Sequence, residues 1–331
     1  MSSTTVLILS IIAAIIPTLL YILIIYWVDR YEKEPIWLLI SAFLWGAIPS
    51  IAVAFVFNSV LSIPFYLLAG EGTGDALTAS LIAPPVEESV KGIALLGILF
   101  FWRHEIDSIL DGIIYGAMVG MGFAIVENVY YFVNVFNEGG VEAWSVNIFM
   151  RAVVFGLNHA LFTSMTGLGI AIARMTKNQA LKFIAPVGGW MAGVFLHFVH
   201  NASVSFGELL CIVALIFDWG GVLLIFGIMV WAVLQERNWI RVYLADEVAV
   251  GTLTAVQYEI ACSGRKRVRY IWSQLSSGGF GEFRHATRFF HRCSELAYKK
   301  HHITLFHDDE KSVELAHELR GEITSLGENL A

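Results

Sequence analysis

The sequence predicts an all-α, polytopic membrane bundle of about seven transmembrane helices, followed by a small helical cytoplasmic C-terminal region. Three observations carry that expectation. Of the 331 residues, 57% are hydrophobic and only 15% charged, with a mean hydropathy of +0.68, which is not the composition of a soluble domain. Apolar runs near or above the roughly 20 residues that a helix needs to span hydrocarbon recur as far as residue 234. The charge is also unevenly placed: residues 1–234 hold 8 Lys+Arg and 15 Asp+Glu, while 235–331 hold 13 of each. Two domains follow, a transmembrane domain over 1–234 and a densely charged tail over 235–331. With no strongly basic segment, nucleic acid is not an expected partner. The three cysteines, Cys211, Cys262 and Cys293, form no CxxC pair and imply neither a disulfide framework nor a zinc finger.

Residues 4–28 form the first spanning candidate; the run is too long for a cleaved leader and lacks its basic start. Further candidates cover 36–57, 76–102, 108–136, 146–173, 181–204 and 208–234. Leu61–Ala69 is apolar but too short to cross, so it is expected to lie at the interface or dip inward. The basic residues set the orientation. Arg30 and Lys33 follow the first helix, Arg103 the third, and Arg174, Lys177 and Lys182 the fifth, while the alternate loops carry Glu71, Asp75, Glu138, Glu142 and Glu208. The N-terminus is therefore expected outside and the tail in the cytoplasm, with Arg151 the nearest exception.

Gly112, Gly116 and Gly120 recur every fourth residue, as do Gly189 and Gly193, a spacing that lets helix backbones approach closely in lipid. In the tail, Ser276-Ser277-Gly278-Gly279 reads as a flexible break. Val313, Leu315, Leu319 and Ile323 give the stretch 310–326 a helical period. The cluster Arg265-Lys266-Arg267-Val268-Arg269 suits either an anionic inner leaflet or a solvated face.

Within the apolar runs stand groups that membrane helices rarely carry. Glu87, Glu88 and Lys91 lie in the run Ala83–Gly92. Charges at bilayer depth cost at least a few kcal/mol each, so they are kept where they line a cavity or do chemistry. The plainer reading is an ion pair between a glutamate and Lys91 at i,i+3 or i,i+4. Three more helices add Glu127 and Asn128, His159, and His197. At about 1.5 Å per residue, Glu87, Glu127, His159 and His197 lie about 16, 14, 20 and 10 Å in from the outer helix ends, one layer of the outer half-membrane. Thr163, Asn201 and Tyr131 stand four residues beyond His159, His197 and Glu127, where they could hydrogen-bond and orient them. Pro84-Pro85 is expected to break the helix, so that Glu87 and Glu88 open a new half-helix with its dipole toward negative charge. Asp218 reads as part of a relay or as a counter-ion to Lys91.

Such a layer supports two routes to peptide hydrolysis. In one, His159, His197 and Glu127 hold zinc or another divalent metal while Glu87 or Glu88 takes a proton from water. In the other no metal is needed: a glutamate is the base, and the histidines or Asn201 stabilise an oxyanion. A proton-coupled transporter or channel built on the same buried Glu and His groups is the rival reading, and a non-catalytic scaffold the third. No inverted halves with paired broken helices favour the transporter.

Taken in order, these residues resemble the PrsW family of intramembrane proteases, which is similar to the wider group of CAAX-prenyl endopeptidases and bacteriocin-processing membrane proteins. The resemblance rests on Glu87-Glu88-x-x-Lys91, on Phe123-Ala-Ile-Val-Glu127-Asn128, on His159, on His197-x-x-x-Asn201, and on an acidic first loop ending Glu34-Pro35. His200 stands where the resemblance leads one to expect an aromatic residue. The resemblance implies a multi-pass, metal-dependent protease of the bacterial plasma membrane. It also implies a membrane-anchored protein substrate, as in site-1 cleavage of a signalling protein.

Overall fold

The computed structural model describes residues 1–305, 310–328 and 330, and among these all regular secondary structure is helical, with no strand. In order the helices are α1 (Ser3–Val28), α2 (Ile36–Trp45), α3 (Ile51–Ala69), α4 (Glu71–Leu77), α5 (Ala83–Phe101), α6 (Ile109–Ile148), α7 (Asn158–Met175), α8 (Gln179–Phe206), α9 (Cys211–Tyr243), α10 (Ala245–Val250), α11 (Ala255–Ala261), α12 (Gly264–Leu305) and α13 (Glu310–Gly327). Five helical stretches are long and apolar enough to cross a membrane: Ser3–Val28, Ile36–Ala69, Ile109–Met175, Gln179–Phe206 and Cys211–Val250. The third is 67 residues long and interrupted, so it contains two of the expected helices. The expected helix over 76–102 is not among the five, because Glu87, Glu88 and Lys91 break its apolarity.

The chain forms two compact units, Met1–Trp27 with Glu34–Met229, and Val28–Lys33 with Val230–Ala331. In the first, α6 is the central post. A capping box starts it: Ser108 Oγ accepts from the Leu110 and Asp111 amides, while Asp111 Oδ2 accepts from the Ser108 amide at 2.7 Å. Every residue from Leu110 to Ala124 is buried. The glycine spacing explains how. A β-carbon on Gly112 would lie 2.3 Å from the Gly167 carbonyl oxygen, and one on Gly120 2.1 Å from that of His159, so α6 and α7 touch backbone to backbone. On another face Gly122 meets the Phe43 carbonyl, and Gly189 and Gly193 bring α8 onto α7 in the same way. Buried Glu34 accepts a hydrogen bond from Tyr115, which fixes the chain before α2 to this post. The outer helices expose large apolar side chains such as Leu67, Leu68, Phe100 and Phe101, as lipid contact requires.

Three local expectations are corrected. Leu61–Ala69 neither dips nor lies apart: it continues α3, which runs on until Gly70 turns the chain at φ +76°. Pro84-Pro85 occupy the first turn of α5, but the backbone enters that turn from a π-helical segment, Thr78–Ile82, in helical conformation. The wider π turn absorbs the missing amides, so no exposed half-helix opens before Glu87. The break falls in the fifth expected helix. There a π-helical turn, Phe149–Val154, gives way to irregular backbone at 155–157, and α7 starts afresh at Asn158.

The second unit packs α10 to α13 and the end of α9 around Ile240, Leu244, Phe289, Phe290, Leu296, Leu319 and Ile323. The expected flexible break at 276–279 is a kink at Gly279 inside α12, with helix on both sides. The basic cluster is also divided. Arg265, Lys266 and Arg269 are exposed, but Arg267 is buried and donates to Ser294 Oγ at 2.7 Å and to the Tyr31 carbonyl at 3.2 Å.

Candidate active site

The five principal residues of the sequence analysis meet in one place, carried by α5, α6, α7 and α8. On α5, Glu88 and Lys91 have no solvent exposure, and Lys91 Nζ lies 2.8 Å from Glu88 Oε1 and 3.6 Å from Glu87 Oε2. The ion pair of the plainer reading exists, and it stands inside a larger polar cluster. Lys91 also reaches His159 Nδ1 at 3.1 Å and lies over the Phe123 ring at 3.8 Å.

The carboxylates fix the tautomers of both imidazoles. Glu88 Oε1 lies 3.1 Å from His197 Nδ1, and a carboxylate only accepts, so Nδ1 carries the proton and Nε2 keeps its lone pair. His197 Nε2 faces Glu87 Oε2 at 3.8 Å. By the same argument His159 Nε2 donates to Glu127 Oε2 at 2.8 Å, leaving Nδ1 as the acceptor for Lys91. Glu127 also accepts from Arg151 Nη2 at 2.5 Å, while Arg151 Nε donates to Asn128 Oδ1 at 2.9 Å. The guanidinium sits 3.9 Å over the Tyr131 ring. Rings complete the packing: Phe162 stacks on His197 at 4.8 Å between centroids, and the two imidazoles stand perpendicular at 5.2 Å.

The i,i+4 partners act across helices rather than along them. Thr163 donates to Glu88 Oε2 at 2.9 Å instead of meeting His159, Asn201 donates to the Ala79 carbonyl at 2.8 Å instead of meeting His197, and Tyr131 serves Arg151. Ionised carboxylates already occupy the ring nitrogens and outcompete neutral groups for them. Asp218 is no counter-ion to Lys91: it lies 2.7 Å from His200 Nδ1 and 3.0 Å from Asn158 Nδ2. The sequence marks Arg151, His200 and Asp218 singly but not their pairing, although an arginine within an apolar run is itself a signal that a buried carboxylate needs it.

Glu87, Glu127, Arg151, His159 and His200 line a cavity of about 1250 Å³, whose wall does not include Glu88 or His197. Glu87, His159 and His197 each place a ligand atom within 4.8 Å of the other two. Glu87 Oε2 is buried with no hydrogen-bond partner. One carboxylate and two imidazoles are a donor set that zinc accepts; Glu87 Oε2 makes no hydrogen bond and His197 Nε2 keeps its lone pair, while His159 Nδ1 becomes a ligand only where Lys91 releases it. The geometric trio contains Glu87 where the sequence reading placed Glu127, which Arg151 and His159 hold instead.

No solved structure matches the chain. Several curated proteins named Protease PrsW do. That of Clostridioides difficile (strain 630) is 34% identical over 167 residues, 50% of this chain and 66% of the relative. The Geobacillus kaustophilus (strain HTA426) protein is 29% identical over 57% of this chain and 76% of its own length. For Bacillus subtilis (strain 168) the values are 30% identity, 51% and 70%. A family profile described as PrsW family intramembrane metalloprotease matches residues 34–234. That match takes in α2 to α8 and with them every residue of the cluster, and the chain belongs to the PrsW family of intramembrane metalloproteases.

Proposed function

We propose that the chain is an intramembrane endopeptidase that hydrolyses peptide bonds of membrane-anchored proteins, with residues 1–234 as the protease domain and 235–331 as a cytoplasmic tail. The observation that carries this reading is the buried Glu87 Oε2, which makes no hydrogen bond, stands 3.6 Å from Lys91 Nζ, and lies beside two tautomerically fixed imidazoles and on the wall of a large cavity. On the metal-free route Glu87 is the group that meets the attacking water; on the metal route it is a ligand instead. Glu88, held by Lys91, His197 and Thr163, orients His197 and keeps Lys91 in place. Glu127 orients His159, and Arg151 balances the Glu127 charge.

Glu87, His159 and His197 would hold a divalent metal, which when bound supplies Lewis acidity to a peptide carbonyl and acidity to water. Asn58, which donates to Glu87 Oε1 at 3.4 Å, keeps the other carboxylate oxygen oriented. The acid-lined and base-lined loops support a multi-pass topology in a bacterial plasma membrane, with the N-terminus outside and the tail in the cytoplasm.

Cleavage of a membrane-anchored reporter by purified protein tests this. Glu87→Gln, Glu127→Ala and His159→Ala should each lower turnover by about 10²–10⁴-fold. Metal analysis should find about one divalent ion per chain, lost in His159→Ala. Normal turnover in all three variants would refute the assignment. Proton or solute flux in liposomes that Glu127→Gln abolishes, without proteolysis, would favour a transporter instead.

A further inference from the structure

A second ionisable cluster lies on the same cavity and has no part in the proposed centre. His200 is three residues after His197 on α8, so it stands on the same helix face, one turn away. Its ring packs edge-on against Phe155 at 4.9 Å between centroids, and lies 6.2 Å from Phe162, the ring that stacks on His197. Both His200 and Asn158 line the cavity. Asp218, from α9, is 1% exposed and has one oxygen, Oδ1, buried with no hydrogen-bond partner.

Oδ2 of Asp218 lies 2.7 Å from His200 Nδ1 and 3.0 Å from Asn158 Nδ2, which are themselves 2.9 Å apart. The asparagine amide nitrogen only donates and the carboxylate only accepts, so both nitrogens give their protons to Oδ2. His200 Nδ1 is therefore protonated, which leaves Nε2 free of these two partners. A buried aspartate in an apolar helix is costly. A histidine so oriented is what could make it worth keeping.

We propose that His200 is the general acid of the proposed peptidase, protonating the leaving nitrogen of the scissile bond, with Asp218 and Asn158 as its positioning residues. The inference rests on the peptidase reading above. On the metal-free route of that reading, water adds its oxygen to the peptide carbonyl carbon and gives a proton to Glu87. The C–N bond then breaks as His200 Nε2, in the imidazolium form, passes its proton to nitrogen. The amine leaves neutral, and cavity water returns the Glu87 proton to His200. The sum is peptide and water giving carboxylic acid and amine. The irregular backbone at 155–157 that precedes Asn158 gives the chain the freedom to place Asn158 against Asp218 while His159, the next residue, faces the centre.

The test uses a fluorogenic transmembrane peptide made with the scissile bond as an amide or as a thioester. Nitrogen must be protonated to leave, whereas a thiol with a pKa of about 8.5 leaves as thiolate. His200→Gln should cut amide turnover by about 10²–10³-fold, seen in kcat rather than KM, while thioester turnover stays within a few-fold. Asp218→Asn should show the same pattern, more weakly. Retained thioester cleavage is the evidence that the variants are folded. Equal loss on both bonds, or an unchanged amide rate, overturns the proposal. A wild-type protein that cleaves neither peptide overturns the peptidase reading and this inference with it.

Discussion

Glu87 and Glu88 are adjacent, yet substitution should affect them differently. Glu88 is fully buried and accepts from Lys91, His197 and Thr163, whereas Glu87 keeps one oxygen without a hydrogen bond and stands farther from Lys91, at 3.6 Å. Removing one partner of a buried ion pair costs about 3–5 kcal/mol, because the other charge stays buried. Glu88→Ala should therefore lower the unfolding midpoint in detergent sharply as well as abolish cleavage, while Glu87→Gln abolishes cleavage with little change in the midpoint. Equal midpoints for the two variants would show that Lys91 does not depend on Glu88. Cys293 makes a separate case in the C-terminal unit. Burial pushes its thiol up from the ordinary 9.0 to about 12, opposed by the nearby Arg267 charge. The folded state then holds this proton over a range where the unfolded chain has released it, so the unit should lose stability as pH rises from about 9 toward 12. Native protein at pH 8 should leave Cys293 unalkylated and the unfolded chain should not, as mass spectrometry of labelled peptides can read. In Cys293→Ala the alkaline loss should shrink.

At the scale of elements, the glycines join fold to site. A β-carbon on Gly120 would press on the carbonyl of His159, whose side chain belongs to the cluster, whereas one on Gly188 meets nothing within 4 Å. Overpacking of a tight contact costs roughly 1–3 kcal/mol, and here neither side can yield, because both are backbone. Gly120→Ala should lower both the midpoint and the turnover, and Gly188→Ala neither; an active, stable Gly120→Ala would mean that α6 and α7 are less tightly held. Such packing was legible in the sequence because small residues every fourth position leave one reading in lipid. The site was legible for a related reason: charge inside an apolar run stands out, so Glu87, Glu88, Glu127, His159 and His197 could be named, and they do come together. Their pairing could not be read. Spacing along one helix says which groups could touch, but Thr163, Asn201 and Tyr131 found partners on other helices. The helix break was misplaced for a comparable reason. Proline marks a lost amide, but π-helical backbone upstream absorbed that loss, and the real interruption at 155–157 carries only Gly156 as a signal.

For the whole molecule the remaining question is where a substrate is cut. By helical rise over the apolar runs read from the sequence, 76–102, 108–136, 146–173 and 181–204, which the structure divides differently, Glu87, Glu127, His159 and His197 lie about 10–20 Å in from the outer ends, and the proposed topology makes that the extracytoplasmic half. A substrate helix has its amides and carbonyls hydrogen-bonded to one another, so its peptide bonds must unwind before water can reach them. Freed backbone groups in hydrocarbon cost several kcal/mol each unless protein or water satisfies them. The cavity, with its asparagine, arginine and carboxylate wall, can satisfy a few such groups but not a whole helix. The least costly segment to unwind is the one closest to outer water. Cuts are therefore expected at or just outside the outer end of the substrate's transmembrane helix. Glycine or proline placed there should raise the rate, since the unwinding is then partly done before binding. Mass spectrometry of the new terminus on a membrane-anchored substrate locates the cut, and a series with a helix breaker moved along the segment tests the cause. Cuts clustered on the cytoplasmic side, or a rate indifferent to the breaker's position, would mean that the topology or the site assignment is wrong.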